Sequence, residues 1–234
     1  MTHDDANWAK PVKRLEAADI AGAWNENVRG RRIAAANGGF GRLFQKTFAV
    51  SFIGASATPQ EVIKTWKTHF GEFWPKGQKM FMPDGGIAPG EVGLINASIP
   101  GTPTMATGIL VIYADDVSFS FMTPEGHPFA GPLTFSAHTD ESGATVAQVQ
   151  ELTRASDPFW ELAMMMPVLG DRMQNDIWRA TLRNLATHFG GDAPVQSKIV
   201  MVDGRRQWRN AKNIWQNAAI RSGLSAPLRL VRRS

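Results

Sequence analysis

Residues 171–191 read DRMQNDIWRATLRNLATHFGG. Trp178, Leu182, Leu185 and Phe189 recur at +4, +7 and +11, the spacing that lines one face of an α-helix, while Arg172, Asp176, Arg179 and Arg183 take the other side. Gly190-Gly191 is its stop signal. The pattern predicts a long amphipathic helix whose apolar face needs a partner. Upstream, residues 78–153 carry no helical period and break into short strand-like pieces separated by turn chemistry. Met80-Phe81-Met82 precedes Pro83-Asp84-Gly85-Gly86, Glu91 to Ile99 precedes Pro100-Gly101-Thr102-Pro103, and Thr107 to Tyr113 precedes Ala114-Asp115-Asp116. Val117, Phe119 and Phe121 alternate with Ser118, Ser120 and Met122. Leu133, Phe135 and Ala137 alternate again, and Thr145 to Thr153 follows the turn at Asp140-Glu141-Ser142-Gly143. Short strands with short turns argue for a sequentially connected antiparallel sheet.

Two further pieces complete the order. Residues 47–56 alternate, with Phe48, Val50 and Phe52 on one face, and a helix follows at once: Thr58 is a natural N-cap, Pro59 suits the first helical position and Glu61 completes a capping box. Val62, Trp66, His69, Phe70 and Phe73 then recur at helical spacing up to Pro75. Before the long helix, Asp157-Pro158 starts a shorter one that carries Phe159, Trp160, Leu162, Met164, Met165 and Met166 up to Pro167. In residues 1–46, Leu15, Asp19, Ala23 and Trp24 fit one or two helical turns before Gly30 and Asn37-Gly38-Gly39 break the pattern.

The chain has 234 residues, enough to bury a sizeable core, with 43% apolar and 20% charged residues. It has no cysteine, which excludes a disulfide scaffold, thiol catalysis and thiolate metal sites. No apolar run reaches the length of a membrane span, and the start lacks the apolar core of a signal peptide, so a cytoplasmic protein is expected. The histidines (His3, His69, His127, His138, His188) show no ligand spacing, and neither a metal nor a cofactor is expected.

The stretches Thr123-Pro124-Glu125-Gly126-His127-Pro128, Ala144-Thr145-Val146-Ala147-Gln148-Val149-Gln150, and Asn175-Asp176-Ile177-Trp178 leading to Leu185-Ala186-Thr187-His188-Phe189-Gly190 sit in this element order. With them the chain resembles the START-like, SRPBCC superfamily (helix-grip, Bet v 1-like), in particular its polyketide-cyclase-like and lipid-transport-like members. The resemblance implies an α+β helix-grip fold: a curved antiparallel sheet of about six to seven strands wrapped round the long C-terminal helix. It covers residues 47–190. Residues 1–46 read as an N-terminal helical and loop extension, and residues 191–234 as a basic amphipathic C-terminal extension.

A curved sheet clasping a single rod leaves a hollow, and hollows lined by aromatic and methionine side chains take small apolar molecules. Phe119, Phe121, Met122, Phe135, Trp160, Met164, Met165 and Trp178 are the expected lining, with either Gln148 and Gln150 or Glu151 entering the cavity according to which face of their strand points inward. The expected function is binding of a small hydrophobic or aromatic ligand, lipid-like or polyketide-like. The alternative on the same scaffold is a cyclase or aromatase, for which His127, Glu151, Arg154 and Tyr113 are the candidate groups. His127 sits in a loop beside Glu125, Arg154 pairs with Asp157 in the structural reading, and the Tyr113 hydroxyl is a donor for a ligand carbonyl.

The charge is uneven. Residues 195–234 hold nine basic residues and one acid, Asp203, for +8, and the rest of the chain carries −4. Trp208, Ala211, Trp215 and Ala218 recur at +3, +7 and +10, with Arg205, Arg209 and Lys212 on a separate face, which reads as a basic amphipathic helix. Contact with an anionic membrane surface or self-association through residues 203–219 is the third function class; nucleic acid belongs to the same class but is not the expected partner. The bland reading packs these tryptophans on the negatively charged body.

Overall fold

The structure, a computed structural model, describes residues 5–52, 57–98, 104–166, 171–192 and 194–231. Residues 53–56, the expected turn at 100–103, the segment 167–170 and the last residues 232–234 lie outside them. The strands are β1 (Leu43–Ser51), β2 (Gln78–Phe81), β3 (Val92–Ala97), β4 (Met105–Ala114), β5 (Ser118–Met122), the two-residue β6 (Phe129–Ala130), β7 (Pro132–Thr139), β8 (Thr145–Ala155) and β9 (Gln196–Asp203). The helices are α1 (Pro59–Thr68), α2 (Pro158–Met165), α3 (Asp171–His188) and α4 (Ala218–Val231). One antiparallel sheet runs in the order β2-β3-β4-β5-β7-β8-β1-β9, with β6 pairing β8. It is the curved antiparallel sheet of the expected helix-grip fold, with more strands than the six or seven predicted.

Local chemistry explains the main elements. The Thr58 hydroxyl accepts the Glu61 N–H at 3.2 Å, the Glu61 carboxylate accepts the Thr58 N–H at 2.8 Å, and Pro59 opens α1. Val62, Ile63 and Trp66 turn the buried face of α1 to the sheet. The Asp157 carboxylate accepts the Trp160 N–H at 3.0 Å and caps α2. Trp178, Leu182 and Leu185 of α3 are buried in the main core with Phe48, Val50 and Phe52 of the first strand and its exit. The Asp140 carboxylate accepts the N–H groups of Ser142 and Ala144 and closes the β7–β8 turn.

Both terminal segments depart from their sequence reading. No helix forms between Leu15 and Trp24. That stretch instead pairs its backbone with residues 30 and 31, the Leu15 N–H donating to the Arg31 carbonyl and the Gly30 N–H to that of Leu15. Leu15, Ala17 and Val28 bury themselves on Val92, Leu94 and Leu110, a second small core on the outer face of β3 and β4. The packing of these few apolar residues overrides a weak helical period. In the tail, residues 196–203 form a strand that the sequence reading did not assign, because Ile199, Val200 and Val202 suit the open edge of β1. Trp208–Gln216 winds as a 3-10 helix, and only Ala218–Val231 is α-helical. The tail closes over the loop at 124–128: Ala218 N–H donates to the Gly126 carbonyl at 2.9 Å. Gly126 has φ +91°, and an added Cβ would run into the Gln216 carbonyl. Among the described residues no helix is long and apolar enough to cross a membrane.

Candidate functional site

Strand parity decides which side chains can enter the interior. Along β8, Ala147, Val149, Glu151 and Thr153 are buried on the inner face, whereas Gln148 and Gln150 are only half-buried. Glu151 is therefore the residue that enters, and the expected pair Gln148 and Gln150 stands on the opposite face. The neighbouring strand β1 turns Lys46, Phe48 and Val50 inward, and Lys46 lies directly opposite Glu151 in the β1–β8 register.

Between the sheet, α2 and α3 lies a cavity of about 150 Å3, walled almost wholly by carbon. Phe121, Trp160, Met164 and Trp178 of the expected lining are on its wall, and so are His127 and Glu151. The other expected residues are elsewhere. Phe119 and Phe135 are fully buried but packed solid, stacked at 4.7 Å with Trp66 and Phe70 against them. Met122 sits half-buried at the end of β5, outside the wall. Met165 is 57% exposed, because Pro158 sets a helix phase that turns Trp160 and Ala163 inward and Leu162, Met165 and Met166 outward.

Two of the four candidate catalytic groups also lie outside the cavity. The Tyr113 hydroxyl donates to the Asp115 carboxylate at 2.6 Å and its ring packs on Trp8 at 4.7 Å. Arg154 does not pair with Asp157. Its guanidinium donates to Asp203 at 2.7 Å and to the carbonyls of Gly41 at 2.7 Å and Arg205 at 3.0 Å, tying the end of β8 to β9. That bond, with those from Arg205, holds the Asp203 carboxyl well below the usual carboxylate range. Asp157 is fully buried, and burial raises its pKa against the hydrogen bonds from Trp160 and Asn217.

At the polar end of the cavity the Gln174 amide donates to the Glu151 carboxylate at 2.7 Å, and the Lys46 ammonium donates to the side-chain oxygens of Gln174 at 2.8 Å and Asn175 at 3.1 Å. Lys46 is 2% exposed. Sequence reasoning missed Lys46 and Gln174, although each carried a signal. Lys46 continues the alternation of Phe48 and Val50 by one step, and Gln174 precedes Trp178 by one helical turn. His127 is held with Nδ1 at 3.1 Å from the amide nitrogen and the carbonyl oxygen of Phe129, and its backbone carbonyl accepts the Ser156 hydroxyl. Burial pushes its pKa down to about 4, so the ring is neutral at neutral pH. No hydrogen bond joins His127 to Glu151 among the described residues. The buried indole nitrogens of Trp74, Trp160 and Trp178 and the Thr107 hydroxyl, all on wall residues, have no hydrogen-bond partner there.

The tail lies beside this site. Glu161 of α2 accepts Arg42 and Arg206 at 3.1 Å each. Trp208 is 74% exposed, its ring edge-on to Phe40, and Trp215 is 82% exposed, so the reading that packs both on the body does not hold.

Among solved structures the chain is similar to ginseng major latex-like protein 151 from Panax ginseng, with 13% identity and a TM-score of 0.39, over 64% of this chain and 99% of that one. It is similar to the di-domain ARO/CYC StfQ from the steffimycin biosynthetic pathway, with 13% identity and a TM-score of 0.46, over 63% of this chain and 50% of that one. A third likeness is to protein Ms6760 from Mycobacterium smegmatis, with 12% identity and a TM-score of 0.45, over 62% of this chain and 90% of that one. No curated protein matches the chain. The sequence model of one family spans residues 54–184, from the approach to α1 to the last turn of α3 and more than half of the chain, and the protein belongs to that family, described as "Domain of unknown function (DUF1990)".

Proposed function

We propose that this protein binds a small apolar molecule, about one ring in size, in the cavity between the sheet, α2 and α3. The observation that carries the reading is a carbon-walled hollow of about 150 Å3 between the sheet, α2 and α3. Interiors are normally close-packed, and an apolar void of this order stays dry and takes benzene-sized guests. The size also bears on which guest the chamber takes. A lipid or polyketide needs several hundred Å3, so a smaller guest is the better reading. The cyclase alternative has less support, since Tyr113 and Arg154 lie outside the cavity and His127 and Glu151 do not meet. In this reading residues 47–190 hold the chamber, while residues 1–46 and 191–234 brace its outer face and rim.

The test uses toluene as probe and protein with 13C-labelled methionine methyls. Met105 and Met164 line the cavity, whereas Met201 is 54% exposed on β9. Saturable shifts at Met105 and Met164 with none at Met201 are expected. No shift near toluene saturation, or equal shifts at all three, would refute the reading.

The exposure of Trp208 and Trp215 supports a second reading, contact with an anionic membrane surface. Arg205, Arg206, Arg209 and Lys212 are exposed around them, the mixture of aromatic and basic groups that interfacial binding uses. Co-sedimentation with vesicles containing phosphatidylglycerol, weakened by salt and by Trp208→Ala with Trp215→Ala, is the expected outcome. Equal binding to neutral vesicles, or none to either, removes it.

A further inference from the structure

Beside the apolar cavity lies a second chamber of about 130 Å3 with a different wall. Arg42, Lys46 and Arg154 line it against one carboxylate, Glu161. Two of the cations have donors to spare. Arg42 spends only its Nε on Glu161, and its terminal nitrogens make no hydrogen bond to the described residues. Arg154, with 7% of its side chain exposed, directs its terminal nitrogens to Asp203 and to two carbonyls, which leaves a buried Nε–H without an acceptor. A buried charged donor lacking an acceptor is disfavoured unless something completes it, and a carboxylate accepts guanidinium N–H groups with favourable geometry.

Phe129, Thr153 and Met164 line both chambers, so the two adjoin along these side chains. From this juxtaposition we infer that the ligand is a small carboxylic acid, its apolar body in the carbon-walled cavity and its ionised head in the cationic chamber. The inference rests on the reading of the first cavity as a ligand site and adds the chemical class of the guest. The polar corner of Glu151 and Gln174 belongs to the first cavity, and the acid head would be turned away from Glu151, toward Arg42 and Arg154. Lys46 contributes positive potential while its ammonium stays bound to Gln174 and Asn175.

Calorimetric titration of the full chain at neutral pH with 3-phenylpropionate and with 3-phenylpropan-1-ol, its neutral counterpart, separates the possibilities. The acid is expected to bind at least about tenfold tighter than the alcohol, with the difference shrinking in 0.5 M salt. Arg42→Gln changes a side chain 32% exposed and is expected to lower acid affinity about tenfold while leaving the alcohol unchanged. If the alcohol binds as tightly as the acid, or if Arg42→Gln weakens both alike, the inference falls and the apolar site stands. If neither probe binds, the apolar site falls with it. The comparison of the two probes on the unaltered protein needs no variant to fold.

Discussion

Phe121 and Phe135 offer a matched pair of truncations, identical in chemistry and on adjacent strands of the sheet. Phe135 is fully buried and makes ring contacts with Trp66 at 5.2 Å and Trp178 at 5.6 Å, in addition to Phe70, Phe119 and Phe121. Phe121 touches Phe70, Phe119 and Phe135 but borders the cavity on its remaining side. A buried Phe→Ala change costs about 3–5 kcal/mol through lost transfer energy and residual void. Each aromatic pair adds about 0.5–1.5 kcal/mol, so the two tryptophan contacts special to Phe135 set a difference of about 1–3 kcal/mol. A side chain facing empty space also has fewer contacts to lose. Phe135→Ala should therefore fall near the top of the range and Phe121→Ala near or below its bottom. Urea unfolding followed by far-UV circular dichroism, with midpoints compared at constant slope, measures both. Equal costs, or a larger cost for Phe121→Ala, would refute the picture of a hollow beside Phe121 and a solid core at Phe135.

Three further outcomes follow from the same structure. His127 has its pKa lowered to about 4 from 6.5 by burial, so protonation favours the unfolded chain; its contribution is complete above about pH 6.5 and is lost as pH falls from there towards 4. His127→Gln should flatten stability across that window, and an unchanged pH profile would count against the assignment. Asn217, fully buried, caps α4 by accepting the N–H groups of Ala219 at 2.9 Å and Ile220 at 3.0 Å and donates to Asp157 at 2.9 Å; Asn217→Ala should cost about 1–2 kcal/mol in urea unfolding, and a neutral result would show that the tail is not docked as described. Trp215→Ala should change stability by less than about 0.5 kcal/mol, since the side chain is 82% exposed; a large loss of thermal midpoint would mean that it packs on the body after all.

The sequence by itself determined the local elements. The capping box at Thr58 and Glu61, the Asp157-Pro158 start and the +4, +7, +11 period from Trp178 are short-range rules, and the helices begin or face where those rules put them. The alternation of Phe119, Phe121 and Phe135 likewise marked buried strand faces. Only the tertiary structure decided which buried residues border a void and which are packed solid, because a strand's period says that a side chain points inward and not what stands across from it. Phe121 and Phe135 have the same pattern in sequence and different surroundings in space. The pairing of Lys46 with Glu151 depends on the register of two strands about a hundred residues apart, and the partner of Arg154 proved to be Asp203 because β9 occupies the open edge of β1. Parity chose Glu151 over Gln148 and Gln150. The volume of the chamber comes from how closely α2 and α3 approach the sheet, a sum over many side-chain contacts that no local pattern encodes.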